Sequence, residues 1–121
     1  MGVVREARLR ATPQEVLLAV EASLGRSDDV FSEIRSTGDG RTVAVAVYEQ
    51  YFMRVSNRIA LTLVADDLAG DGLTLVRVIV TGSSRGLIIN IDWGAAGSYA
   101  ASAMDILSRL ARDRGGLLPA R

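Results

Sequence analysis

Between Val30 and Gly82 the chain runs through "VFSEIRST", "TVAVAVYEQ", "VSNRIALTLVADD" and "LTLVRVIVTG", four β-rich stretches separated by connections too short to reverse a chain twice. A parallel crossover needs a dozen or more residues, and "GDGR" and "LAGDG" supply four and five. These stretches can therefore pair only antiparallel. Asp39-Gly40 brings the positive φ of a tight hairpin. "YEQYFMR" reads as a strand end followed by a bulged or wider turn. A chain with this middle folds around an antiparallel meander.

The ends supply what covers it. "GVVREARLR" alternates, with Val3, Ala7 and Leu9 on one side and Glu6, Arg8 and Arg10 on the other, which predicts a half-buried edge strand. "ATPQEVLLAVEASLG" carries helix signals. Thr12 is the expected N-cap, Pro13 the first helical residue, and Glu15 the reciprocal member of a capping box. Val16, Leu17, Val20 and Leu24 form the apolar stripe, and Gly25 is the expected stop, with "RSDD" as a loop.

Near the other end, "TGSSRG" predicts a polar turn, "LIINID" a short strand, and "WGAAGS" a break. A long helix follows in "YAASAMDILSRLARDR", where Tyr99, Ala103, Ile106 and Leu110 recur at helical spacing. Arg109, Arg112 and Arg114 suit its C-terminal dipole, and Gly115-Gly116 end it, leaving residues 115–121 as a loose tail. The order is strand, helix, four or five strands, helix. The expected fold is α+β: one domain over residues 1–121, a two-layer sandwich with an antiparallel sheet of five to six strands and two helices on one face.

Composition narrows function mainly by exclusion. With 121 residues, 49% of them apolar, the chain can bury a single core. It contains no Cys, His or Lys, which removes thiolate chemistry, the usual general base and zinc ligand, and Schiff-base or phosphate-loop lysines. Neither a metal nor a cofactor is expected. Fourteen arginines balance fourteen acids and lie scattered, so no nucleic-acid partner is expected. No apolar run is long enough to span a bilayer and the first residues lack a signal peptide's apolar region. The expectation is a cytoplasmic protein without a membrane partner.

The order β-α-β-β-β-β-α resembles the TATA-binding-protein-like fold, which the START and polyketide-cyclase (helix-grip) proteins elaborate. The opening "LRATPQEVLLAV", where a proline-led helix follows the first strand at once, and the long closing helix are similar in placement. The resemblance implies a cavity between the last helix and the sheet. The chain departs from that pattern by being short, since "GRSDDVF" leaves no room for a second small helix.

Several clusters bear on function. "GSSRG" could form an anion nest, but it lacks phosphate-loop spacing and reads as a turn. Asp66, Asp67 and Asp71 lack a calcium loop's alternation and read as a solvated turn. Glu49 lies among Tyr48, Tyr51, Arg54 and Arg58; with Asp92 it is the candidate base if the chain is a cyclase- or isomerase-like enzyme acting on a small apolar substrate. Trp93, Tyr99 and Asn90 stand where the sheet hands over to the last helix and, with Arg77, are the candidate ligand-binding set, while the plainer reading of Trp93, and the favoured one, is a plug at the end of the core. Finally, "LTLVRVIVTG" is apolar on both sides. Val76, Val78 and Val80 form one set, and Leu73, Leu75 and Ile79, with Arg77 among them, form the other. Helices on one face cannot cover both. Leu73, Leu75, Arg77 and Ile79, joined by Tyr48 beside Ala44 and Ala46, are the candidate interface of a homodimer. The function expected is a small non-catalytic binding or protein-interaction module, self-associating through its sheet, with a small apolar ligand as a further partner.

Overall fold

The computed structural model describes residues 2–52, 57–82 and 93–112. Five strands and two helices follow in the order β1 (Gly2–Leu9), α1 (Pro13–Asp28), β2 (Asp29–Ser36), β3 (Thr42–Phe52), β4 (Asn57–Asp66), β5 (Thr74–Gly82) and α2 (Trp93–Arg112). All pairings are antiparallel, and the sheet order is β1-β5-β4-β3-β2. Among the described residues β1 and β2 are thus its two edges. The α+β two-layer expectation holds. Its sixth strand, "LIINID", lies outside the described residues, as do Met53–Ser56 and the tail.

Sequence signals explain most boundaries. The capping box forms as read: the Glu15 amide donates to Thr12 Oγ1 at 3.1 Å, and the Thr12 amide donates to Glu15 Oε1 at 2.9 Å. Gly40 adopts φ +86° in the β2–β3 turn, and Gly70 and Gly72 adopt +72° and +82° between β4 and β5. That is the left-handed region where a Cβ is strained. Asp67 Oδ1 accepts from the Thr42 amide at 2.8 Å, and Asp66 and Asp71 accept from the Leu68 and Leu73 amides. The three aspartates are turn-builders.

Three boundaries differ from the sequence reading. α1 does not stop at Gly25 but continues to Asp28, where β2 begins at once. α2 starts at Trp93 and takes in "WGAAGS". Each helical glycine costs about 1 kcal/mol relative to alanine, less than packing of the stripe behind it returns. β3 runs on through Tyr51 and Phe52.

The register shows which side each residue takes. Val3 lies opposite Val80, Val80 opposite Leu61, and Leu61 opposite Tyr48, so one row crosses four strands. All four are buried. With Leu9, Ala44, Ala46, Leu63, Ala65, Val76 and Val78 they floor a core roofed by Val16, Leu17 and Val20 of α1 and Tyr99, Ala100, Ala103, Ile106, Leu107 and Ala111 of α2. Each large apolar side chain buried there contributes about 1.5–3 kcal/mol. Thr74 Oγ1 donates to the Ala11 carbonyl at 2.5 Å, fixing the β1–α1 corner to the start of β5. Both helices lie on this one face.

That arrangement corrects one expectation. Tyr48, Ala44 and Ala46 were expected on the uncovered face, but they sit under the helices, and Tyr48 is fully buried. Its hydroxyl donates to Glu21 Oε2 of α1 at 3.2 Å. Small residues do admit a close neighbour, but the neighbour is α1. Tyr48 is therefore not part of a surface on the open side.

Candidate interaction surface

With the even-numbered β3 residues turned inward, Val43, Val45, Val47, Glu49 and Tyr51 face away from the helices. Strand register then assembles the open face. Its central row is Val4, Ile79, Thr62, Val47 and Phe31, one residue from every strand. The adjoining row is Glu6, Arg77, Val64, Val45 and Glu33, and the next is Arg8, Leu75, Asp66, Val43 and Arg35. Val4 is 55% exposed and Phe31 48%, so the apolar row reaches solvent at both edges. Ile79, Val47, Val45, Val64 and Leu75 are half-buried.

Charges surround this apolar centre as pairs. Arg77 Nε donates to Glu6 Oε2 at 2.8 Å across the β1–β5 ladder, and Arg58 Nη1 lies 3.6 Å from Glu49 Oε1. Arg35 Nε pairs with Glu33 Oε2, and Arg8 Nη1 lies 3.8 Å from Asp71 Oδ2 at the β5 end. Exposed pairs of this kind are each worth about 0–1 kcal/mol. Their effect is to hold opposite charges at fixed places around an apolar strip.

The candidate residues divide between the two faces. Leu75, Arg77 and Ile79 lie together on the open face, and Leu73 is half-buried in the turn just before them. Glu49 is on the same face, paired with Arg58, and is turned away from Tyr48 as strand alternation requires. Tyr99 lies on the opposite side, buried in the helix-covered core. Arg77 and Tyr99 are therefore separated by the sheet, and the four-residue ligand set does not form one site. Trp93 opens α2, and Asn90 and Asp92 lie outside the described residues, as does "SSRG". Val4, Phe31, Val45, Val47 and Val64 complete the surface and were missed as members of it. The alternation of Val43, Val45 and Val47 was visible, but only the register could say which way it faced.

Among the described residues no cluster of three or more acidic side chains is arranged to hold a metal ion. No helix there is long and apolar enough to cross a membrane.

No curated protein matches the chain in sequence. One solved structure, that of TTHA0849 from Thermus thermophilus, is 15% identical over 86% of each chain, with a TM-score of 0.26. Residues 4–111, from within β1 to the last turn of α2, match a family whose function is unknown. The chain belongs to that family, DUF6054.

Proposed function

We propose that the protein is a non-catalytic interaction module whose open sheet face pairs with the same face of a second copy. The observation that carries this reading is the row from Val4 to Phe31, apolar on every strand but β4, where Thr62 stands, and flanked by Val45, Val64 and Leu75. Five strands about 4.8 Å apart and eight to ten residues at about 3.4 Å span roughly 650–800 Å², near the ~800 Å² each partner gives to a standard dimer. The charges on the face favour a like partner. Arg8, Arg35, Arg58 and Arg77 balance Glu6, Glu33, Glu49 and Asp66, four against four. A neutral face neither repels its own copy nor draws a strongly charged partner. A two-fold pairing closes on itself and leaves no apolar row exposed.

Sedimentation equilibrium is the test. At roughly 100 µM, any dimer held by more than about 5–6 kcal/mol is populated. Leu75→Glu should weaken the dimer at least tenfold while circular dichroism keeps the parent's sheet and helix signal. A parent chain that stays monomeric at that concentration overturns the reading.

A further inference from the structure

The two sheet edges are built differently. β1 exposes one large apolar residue, Val4, followed directly by Arg5 and Glu6, the charged guard common on strands that must stay unpaired. β2 exposes Val30 (58%), Phe31 (48%) and Ile34 (42%), and α1 runs into it with no intervening loop to cover it.

The backbone direction along β2 can be read from its neighbour. Thr42 accepts from the Asp67 amide through its carbonyl and donates its own amide to Asp67 Oδ1, so both of its backbone groups point toward β4. Bonded and non-bonded pairs alternate along an antiparallel ladder. Val43, Val45 and Val47 therefore point their backbone groups toward β2, opposite Arg35, Glu33 and Phe31. The Thr37 amide donating to the Arg41 carbonyl fits the same phase. It follows that Ser32, Ile34 and Ser36 direct their amides and carbonyls away from the sheet, toward an edge that no strand among the described residues occupies.

We infer that this edge pairs antiparallel with β2 of a second copy, in the register that sets Ile34 opposite Ile34. That register satisfies three requirements together. Ile34 bonds Ile34, and Ser32 bonds Ser36 on either side, so every outward-directed backbone group from Ser32 to Ser36 gains a partner. The intervening pairs are of the close, non-bonded kind, about 4.5 Å between Cα atoms, and they set Glu33 of each copy against Arg35 of the other. The two isoleucines meet on the helix side of a continuous ten-stranded sheet. Registers displaced by two residues set Glu33 against Glu33 or Arg35 against Arg35, like charges directly opposed, which destabilise a ladder. The edge thus selects one alignment with its own kind. It uses the outward backbone of β2, shares only the Glu33 and Arg35 side chains with the open face, and does not depend on pairing there.

The test uses Leu75→Glu as background, so that face pairing is removed. Glu33→Arg alone faces the second copy's Arg35, and Arg35→Glu alone faces its Glu33. Each single variant should lose edge association by at least tenfold in sedimentation. Mixing the two should restore it, because every opposed pair in the mixed dimer is then Arg against Glu, and the double variant Glu33→Arg with Arg35→Glu should associate as the background does. The cysteine-free sequence gives a second readout that also works without Leu75→Glu. Ile34→Cys should form an intermolecular disulfide under mild oxidation, since bonded pairs about 5.5 Å apart lie within disulfide reach. Arg5→Cys, on the guarded edge, should not. Unchanged association in the single variants, no rescue on mixing, or Ile34→Cys cross-linking no faster than Arg5→Cys would each overturn the inference.

Discussion

Along their central stretches the two faces of β3 and β4 have similar hydrophobicity and opposite fates. Beneath the helices stand Ala44, Ala46, Leu61, Leu63 and Ala65, all buried. On the other side stand Val43, Val45, Val47, Thr62 and Val64, half-buried. Hydrophobicity alone would put the valines inside. Space decides otherwise, since α1 lies close over β3, and interiors packed at crystal-like density reward fit before bulk. The β-branched residues left outside suit an extended strand in their own right. A face can therefore be apolar because of strand propensity, because of core packing, or because it meets a partner. Only neighbours in three dimensions separate these causes.

The sharpest way to break this comparison is one charge placed on either side of the same strand. Leu63→Asp puts an unpaired carboxylate in the core at a cost of several kcal/mol and should leave the chain unfolded by circular dichroism. Val64→Asp, one residue on, faces Arg77 across the β4–β5 ladder and, in the Leu75→Glu monomer, should change unfolding free energy by less than about 1 kcal/mol. Equal damage from both would mean that the open face is covered within the monomer. A smaller effect comes from added volume. Ala46→Leu should cost about 1–3 kcal/mol in urea denaturation by forcing α1 away from β3, whereas Val47→Leu should stay within about 0.5 kcal/mol.

The smallest effect lies in the β2–β3 turn, where neither face is involved. The Thr37 hydroxyl donates to Asp39 Oδ1, and this bond, aided by the turn's backbone and by Arg41, holds the Asp39 carboxyl below its ordinary 3.8. A carboxyl lowered by folding stabilises the fold above its unfolded value, and that contribution is lost as pH falls through the folded value. Stability should therefore decline through acid below 3.8 slightly more steeply in the parent than in Asp39→Asn. Urea titrations at stepped pH measure the difference, and parallel curves would show that the turn contributes nothing.

The sequence was legible wherever a local rule had no competitor. The Thr12–Glu15 box, the glycines at 40, 70 and 72, and the stripe from Tyr99 to Ala111 each answer to neighbours within a few residues. It was least legible where two long-range causes favour one pattern. Gly25 and "WGAAGS" look like helix breakers, yet lie inside helices whose stability comes from distant contacts. Along Thr42–Phe52 both alternating sets are apolar, so the correct period came with the wrong face, and Tyr48 with it. On β5 the sets differ by Arg77, a residue the helix-covered core could not take, so Leu75 and Ile79 were placed correctly. The pairing of Arg77 with Glu6 had no local signature, because it joins residues 71 positions apart in the sequence.

That last pairing also bears on the order of assembly. β2, β3, β4 and β5 are consecutive neighbours and can zip together through short turns. β1 instead sets Gly2 opposite Thr81 and Leu9 opposite Thr74, with α1 and β2–β4 lying between the partners in the sequence. Closing so long a loop costs about 2 kcal/mol more chain entropy than closing a hairpin. The meander can therefore form while the outer rim of β5 still lacks its ladder partner. Over that interval the nascent chain carries two unsealed rims where the finished molecule has one beside β2 and a charged one beside β1. On that ground β1 is placed after the meander that follows it in the chain, and the acids and arginines along it become protective only when the search for its slot is over.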